Sequence, residues 1–181
     1  MRFSTFRVVG ILALAVGASC SDAPTAPSRL EPDTVSDSSA KLLGLFGPRP
    51  LYCPNSTPQS TTAVLDALGG TLSLGGTSVL VPLGALLDPV EITLTIPASN
   101  YAEIDVTVTG TDHFIFQLPI TVTVSYAHCS LGLLQRLLPL SVWHWEPSTR
   151  TFLERMPSID NKLTRSITFT TPHLSGYIIA N

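Results

Sequence analysis

The apolar residues of this chain fall into two regimes. From residue 63 onward they form short runs rich in β-branched and aromatic side chains, broken by Gly, Pro and Asn at intervals of roughly 8–12 residues. Ile92, Leu94 and Ile96 alternate with Glu91, Thr93 and Thr95, and Ile120, Val122 and Val124 alternate with Thr121, Thr123 and Ser125. A period of two sends successive side chains to opposite faces, so each such run predicts a strand with one buried and one wet face. The runs that fit are residues 71–74, 78–81, 91–96, 104–109, 113–118, 120–126, 140–146, 151–155, 166–171 and 174–180. Only residues 130–138, with Leu131, Leu134, Leu137 and Leu138 at helical spacing, predict a helix. The pattern predicts an all-β fold: one antiparallel β-sandwich of about nine to ten strands with a single short helix.

Before residue 63 no period is sustained. Arg2 and Arg7 precede an apolar run at residues 8–16, which ends in the small residues Gly17, Ala18 and Ser19. That order of charge, apolar run and small residues is the layout of a secretory signal. The run is far short of the roughly 20 residues a spanning helix needs. Cys20 resembles the lipid-attachment cysteine of bacterial lipoproteins, with Gly17 standing where a Leu is usual, and Ser21 resembles the sorting position of outer-membrane lipoproteins. Cleavage by an ordinary signal peptidase, giving a secreted protein, is the alternative. Residues 21–62 are dense in Pro, Ser, Thr and Asp, too polar to offset the entropy of ordering, and read as a disordered tether. Within them Leu42, Leu43, Leu45 and Phe46 read as a segment that docks on the domain. The expected organisation is a signal peptide at 1–19, a lipid-anchored tether at 20–62 and a domain at 63–181.

Composition narrows the function. The chain has 181 residues, of which 13% are charged against a globular norm of roughly 25%. Ten basic residues face thirteen acidic ones, so no basic stripe exists to meet a nucleic acid backbone. Loss of Arg2 and Arg7 with the signal leaves 8 basic and 13 acidic residues, a net charge of −5, which predicts no charge-driven attachment to anionic lipid. With Cys20 consumed by lipid, Cys53 and Cys129 remain as a pair in an oxidising compartment. They predict a disulfide that closes a loop of about 75 residues, from the end of the tether to the segment after the 120–126 strand.

Gly69-Gly70-Thr71-Leu72, Val81-Pro82-Leu83-Gly84-Ala85-Leu86 and Glu91-Ile92-Thr93-Leu94 together resemble the opening of the ZU-five domain, shared by zonula occludens proteins, netrin receptors and ankyrins. Residues 116–126 resemble that family's central strand, 142–146 with 151–154 its later hairpin, and 171–177 its closing strand. The resemblance covers about residues 69–180 and implies a β-sandwich that serves as a protein interaction module. It also singles out His173-Leu174-Ser175, because some relatives self-cleave at His-Phe-Ser in the closing strand. The resemblance implies His173 as base and the Ser175 hydroxyl as nucleophile on the Leu174 carbonyl, an N-to-O acyl shift followed by hydrolysis of the ester. The alternation of 174–180 fits an unstrained final strand, and an intact Leu174–Ser175 bond is expected.

Other candidates carry less chemistry. His113, His128 and His144 lack the paired spacing of a metal motif, so no metal and no cofactor is expected. Trp143 and Trp145 stand two apart and share a strand face; a core position is expected, with a carbohydrate-stacking surface as the alternative. Gly69-Gly70 and Gly75-Gly76 bound a hairpin and read as turns. No nucleophile or carboxylate pair stands in a catalytic motif, and the chain is not expected to be an enzyme. The sequence thus points to a cell-envelope lipoprotein, anchored through Cys20 at the outer membrane, that displays a non-catalytic domain for an unknown protein partner or a structural role.

Overall fold

The computed structural model describes residues 47–111 and 114–181. The signal, Cys20, the docking segment at 42–46 and His113 lie outside the described residues. In chain order the elements are β1 (Tyr52–Asn55), β2 (Gln59–Leu65), β3 (Gly70–Leu74), β4 (Thr77–Val81), β5 (Val90–Ile96), β6 (Ser99–Tyr101), β7 (Glu103–Val108), β8 (Ile115–Ser125), α1 (Leu133–Leu137), β9 (Ser141–Glu146), β10 (Thr151–Met156), β11 (Ser158–Asn161), β12 (Ser166–His173) and β13 (Gly176–Ala180). The fold is all-β, as expected. A six-stranded sheet runs β10-β9-β13-β7-β5-β2, a five-stranded sheet runs β11-β12-β8-β4-β3, and every pairing is antiparallel. A two-stranded ribbon of β1 and β6 completes it.

The alternating residues identified above form the interface between the two large sheets. Ile92, Leu94, Val106, Val142 and Ile179 from the six-stranded sheet meet Val79, Ile120, Val122, Ile167 and Phe169 from the five-stranded one, all fully buried or nearly so. The rings of Phe169 and Tyr177 lie 4.8 Å apart across this interface. The wet face of the five-stranded sheet is a hydroxyl ladder, with Thr123 Oγ1 and Thr168 Oγ1 3.0 Å apart between paired strands.

Two glycines of the family-like opening are required by geometry. Gly69 adopts φ +72°, and a Cβ there would fall 2.2 Å from the Val81 carbonyl oxygen. Gly84 adopts φ +78° and donates its N–H to the Ala67 carbonyl at 2.8 Å, which turns Ala85 and Leu86 into the core. Only glycine takes such backbone without strain.

Several expectations are corrected. The domain does not begin at residue 63: β1 and most of β2 occupy the stretch read as tether, and Leu51 and Cys53 are buried. β2 was hidden because its half-buried positions are Thr61, Ala63 and Leu65, a face too small and polar to read as apolar alternation. In place of two strands at 113–118 and 120–126 there is one, β8, which runs from Ile115 through Pro119 to Ser125. The register of β8 with β12 shifts in this interval, where Pro172 of β12 also lies. Two residues without N–H thus sit where the ladder is interrupted and no donor is needed. The helix is only five residues long, with Pro139 two residues past its end, and it buries none of its residues; Leu131 alone of the expected face packs on the core. Finally, Leu174 and Ser175 belong to no strand, and β13 does not alternate but buries four consecutive residues, Tyr177 to Ala180.

Candidate functional site

The chain crosses from the five-stranded to the six-stranded sheet at Leu174–Ser175, between β12 and β13. Leu174 points inward, 9% exposed. The crossing is clamped at His173: Tyr177 Oη donates to the His173 carbonyl at 2.8 Å, and Thr171 Oγ1 donates to the same oxygen at 2.9 Å. The amides on either side are engaged too, with Leu174 N donating to the Phe114 carbonyl at 3.4 Å and Val106 N donating to the Ser175 carbonyl at 3.3 Å. Ser175 Oγ donates to the Gly176 carbonyl at 3.4 Å. No left-handed φ occurs at 173–175; among the described non-glycine residues only Arg150 and Arg165 have one.

Side chains from both sheets meet at this crossing. His144 of β9 is the register partner of Glu154 on one side and Tyr177 on the other. The His144 ring lies 5.5 Å from the His173 ring and 6.3 Å from that of Tyr177. A groove of about 940 Å³ opens here, bordered by Asp105, Phe114, His144, Glu146, Glu154 and Ser175. Its three carboxylates make it acidic. Burial pushes the His144 imidazole below its ordinary value, and the like charge of His173 adds to this while Glu154 and Glu146 oppose it. Burial raises Asp105 above the usual carboxylate range and raises the Tyr177 phenol. Glu146 is lowered, chiefly by hydrogen bonds from the Ser148 hydroxyl and backbone.

Of the residues singled out in the sequence, His173, Ser175 and His144 come together, joined by Glu154, Asp105 and Tyr177. Sequence reasoning missed these last three because cross-strand register, not spacing along the chain, makes them neighbours. The His173 ring faces His144, whereas the Ser175 hydroxyl is engaged by Gly176.

The tryptophans lie elsewhere. Trp143 pairs with Ile178 and Arg155 and alternates with the core residue Val142, so both indoles project from the sheet face opposite the core. Trp145 is buried, 6% exposed, as expected of a core position, and Trp143 is half-buried, although neither belongs to the cluster between the two sheets. Phe152 packs edge-on against both, with centroids 5.5 and 5.0 Å away, which leaves little open ring face for stacking a sugar. Neither indole N–H has an acceptor among the described residues. Trp145 borders a small polar cavity of about 340 Å³ with Asn55, Glu103 and Arg150.

Cys53 and Cys129 form the expected disulfide, 76 residues apart in sequence, although Cys53 stands in β1 and not in a tether. Exposed His128 is beside this pair, but both thiols are consumed by the bond and offer no thiolate to a metal. Among the described residues no helix is long and apolar enough to cross a membrane. The chain matches no known protein family and no curated protein.

Proposed function

We propose that this chain is a cell-envelope lipoprotein, anchored through Cys20, whose ZU-five-like sandwich is a non-catalytic protein interaction module. The observation that carries the reading is the preformed acidic groove at the sheet crossover. Asp105, Glu146 and Glu154 border a concave surface with Phe114 and the two histidines, on backbone held by hydrogen bonds at 173–175. Concave sites of several hundred Å³ with a few convergent polar groups are where ligands bind, and this charge suits a partner segment bearing Lys or Arg. The disulfide is the chemistry of an oxidising compartment and supports display outside the cytoplasm.

The non-catalytic reading draws on the same geometry. Self-cleavage needs a base on Ser175 and a strained Leu174–Ser175 peptide, whereas here the hydroxyl bonds to Gly176 and the backbone is of ordinary handedness. Intact mass of the mature protein from native membranes tests the reading, with a diacylglyceryl mass on Cys20 and an uncut chain to Asn181 expected. A product ending at Leu174, abolished by Ser175→Ala, would make autoproteolysis the function instead. For the partner, crosslinked capture from envelopes is expected to drop at least tenfold in a Glu146→Gln/Glu154→Gln variant, and unchanged capture rejects the groove as the binding face.

A further inference from the structure

Helix α1 leaves an apolar face in solvent. Leu133 and Leu137 are 74% and 72% exposed, and Leu134 and Leu138 are 50% and 48% exposed. Leu133, Leu134 and Leu137 share one broad side of α1 and Leu138 follows at its C-cap, so the leucines form a continuous strip. The β11–β12 turn lies against it, with Lys162 Nζ donating to the Gln135 carbonyl at 2.7 Å, and the next residue, Leu163, is 97% exposed. Scattered exposed leucines are ordinary; five around one protrusion mark an interaction surface.

The charge beside these leucines runs against that of the chain. Arg136 stands on α1, Lys162 and Arg165 stand on the adjoining turn, and Arg165 Nη2 reaches the Cys129 carbonyl at 2.7 Å. Lys162 is paired with Asp160, and among the described residues Arg136 and Arg165 have no carboxylate partner, so the protrusion is net positive. The first described residues lie here as well, since Gln135 Nε2 donates to the Pro50 carbonyl at 3.4 Å. Pro50, close to the start of the described residues, thus lies beside α1.

We infer that α1 and the β11–β12 turn rest on an anionic phospholipid surface. Leucine side chains enter the boundary between headgroups and acyl chains while the guanidinium and ammonium groups stay level with the phosphates. The net charge of −5 led to the opposite expectation because it averages over the chain, whereas the membrane meets only this face. The biological setting rests on the lipoprotein reading, but the contact itself does not require lipid on Cys20.

The test uses the full chain with Cys20→Ala, sedimented with vesicles of phosphatidylcholine containing 30% phosphatidylglycerol or of phosphatidylcholine alone. Parent and variants share the same N-terminal segment, so differences between them report the protrusion. The Leu133→Ser/Leu137→Ser chain is expected to lose on the order of tenfold or more in partitioning, since both side chains leave the apolar boundary. Arg136→Gln is expected to cost about fivefold on the anionic vesicles and little on the neutral ones. The substituted side chains are exposed, so the urea midpoint should stay unchanged and separate a folding defect from a binding one. Equal partitioning of parent and leucine variant overturns the inference. So does a leucine variant that changes only the sedimentation velocity of the free protein, which would assign the strip to contact between copies. Because Cys20 is absent throughout, failure of lipid attachment would appear separately, as a soluble protein with Cys20 in place.

Discussion

The hydroxyl of Tyr126 donates to Oδ1 of Asp160 at 2.5 Å, tying the residue after β8 to the edge strand β11. Oδ2 of the same carboxylate accepts from Leu140 N at 2.7 Å and pairs with Lys162 at 2.8 Å. Burial by itself would raise the Asp160 pKa, but the hydrogen bonds from Lys162, Tyr126 and Leu140 together outweigh it and hold the group below the usual carboxylate range. One side chain thus anchors the entry to β9, the end of β8 and the β11–β12 turn.

Asp160→Asn is expected to cost about 1–3 kcal/mol at neutral pH, since a charged acceptor is lost beneath partly buried donors. The folded pKa lies below the unfolded value of roughly 3.9, so the stabilisation is complete above that value and is lost as pH falls through the folded pKa. Urea unfolding at pH 7 and pH 3 should therefore show the gap between parent and variant narrowing in acid. A gap that is constant with pH would mean that the carboxylate charge contributes nothing.

Cys53–Cys129 closes a separation of 76 residues. The chain-entropy relation gives about 4.5 kcal/mol for a loop of this length, and observed values for native disulfides run from about 2 to 5 kcal/mol. Cys53→Ala/Cys129→Ala should lower stability within that range, read from urea midpoints of oxidised parent and variant. Two thiols titrating in the unfolded, unreduced parent would show that the bond is not formed.

His144 is expected to titrate below 6.5 in an NMR experiment on its ring protons, chiefly because it is half-buried. His173→Gln removes a like charge and should raise the midpoint part of the way, whereas Glu154→Gln removes an opposite charge and should lower it. With the folded value below the unfolded one, the unfolded chain takes up the proton first, so stability falls as pH drops through 6.5 toward the folded pKa. A midpoint at or above 6.5 in the parent would show that the ring is not desolvated at the crossover.

The local period was enough to identify most strands, because side-chain alternation is a property of each strand alone. Ile92–Leu94–Ile96 and Ile120–Val122–Val124 announced their buried faces without any knowledge of their partners. The disulfide was legible because only two cysteines remain after Cys20, and the turns at Gly69 and Gly75 because so few residues tolerate a positive φ. β6 and β11 were not, at three and four residues with little apolar content.

Tertiary structure decided the rest. Alternation put Trp143 and Trp145 on one face but did not say which face meets the core; pairing of Val142 with Ile179 turned the indoles outward. Likewise His144 and His173 are 29 positions apart and belong to different sheets, and only the crossover at Leu174–Ser175 brings their rings together. The physical reason is the range of the forces involved. A residue's period reports its neighbours on its own strand, whereas a groove or an exposed leucine strip depends on which strands pair and what the finished packing leaves uncovered.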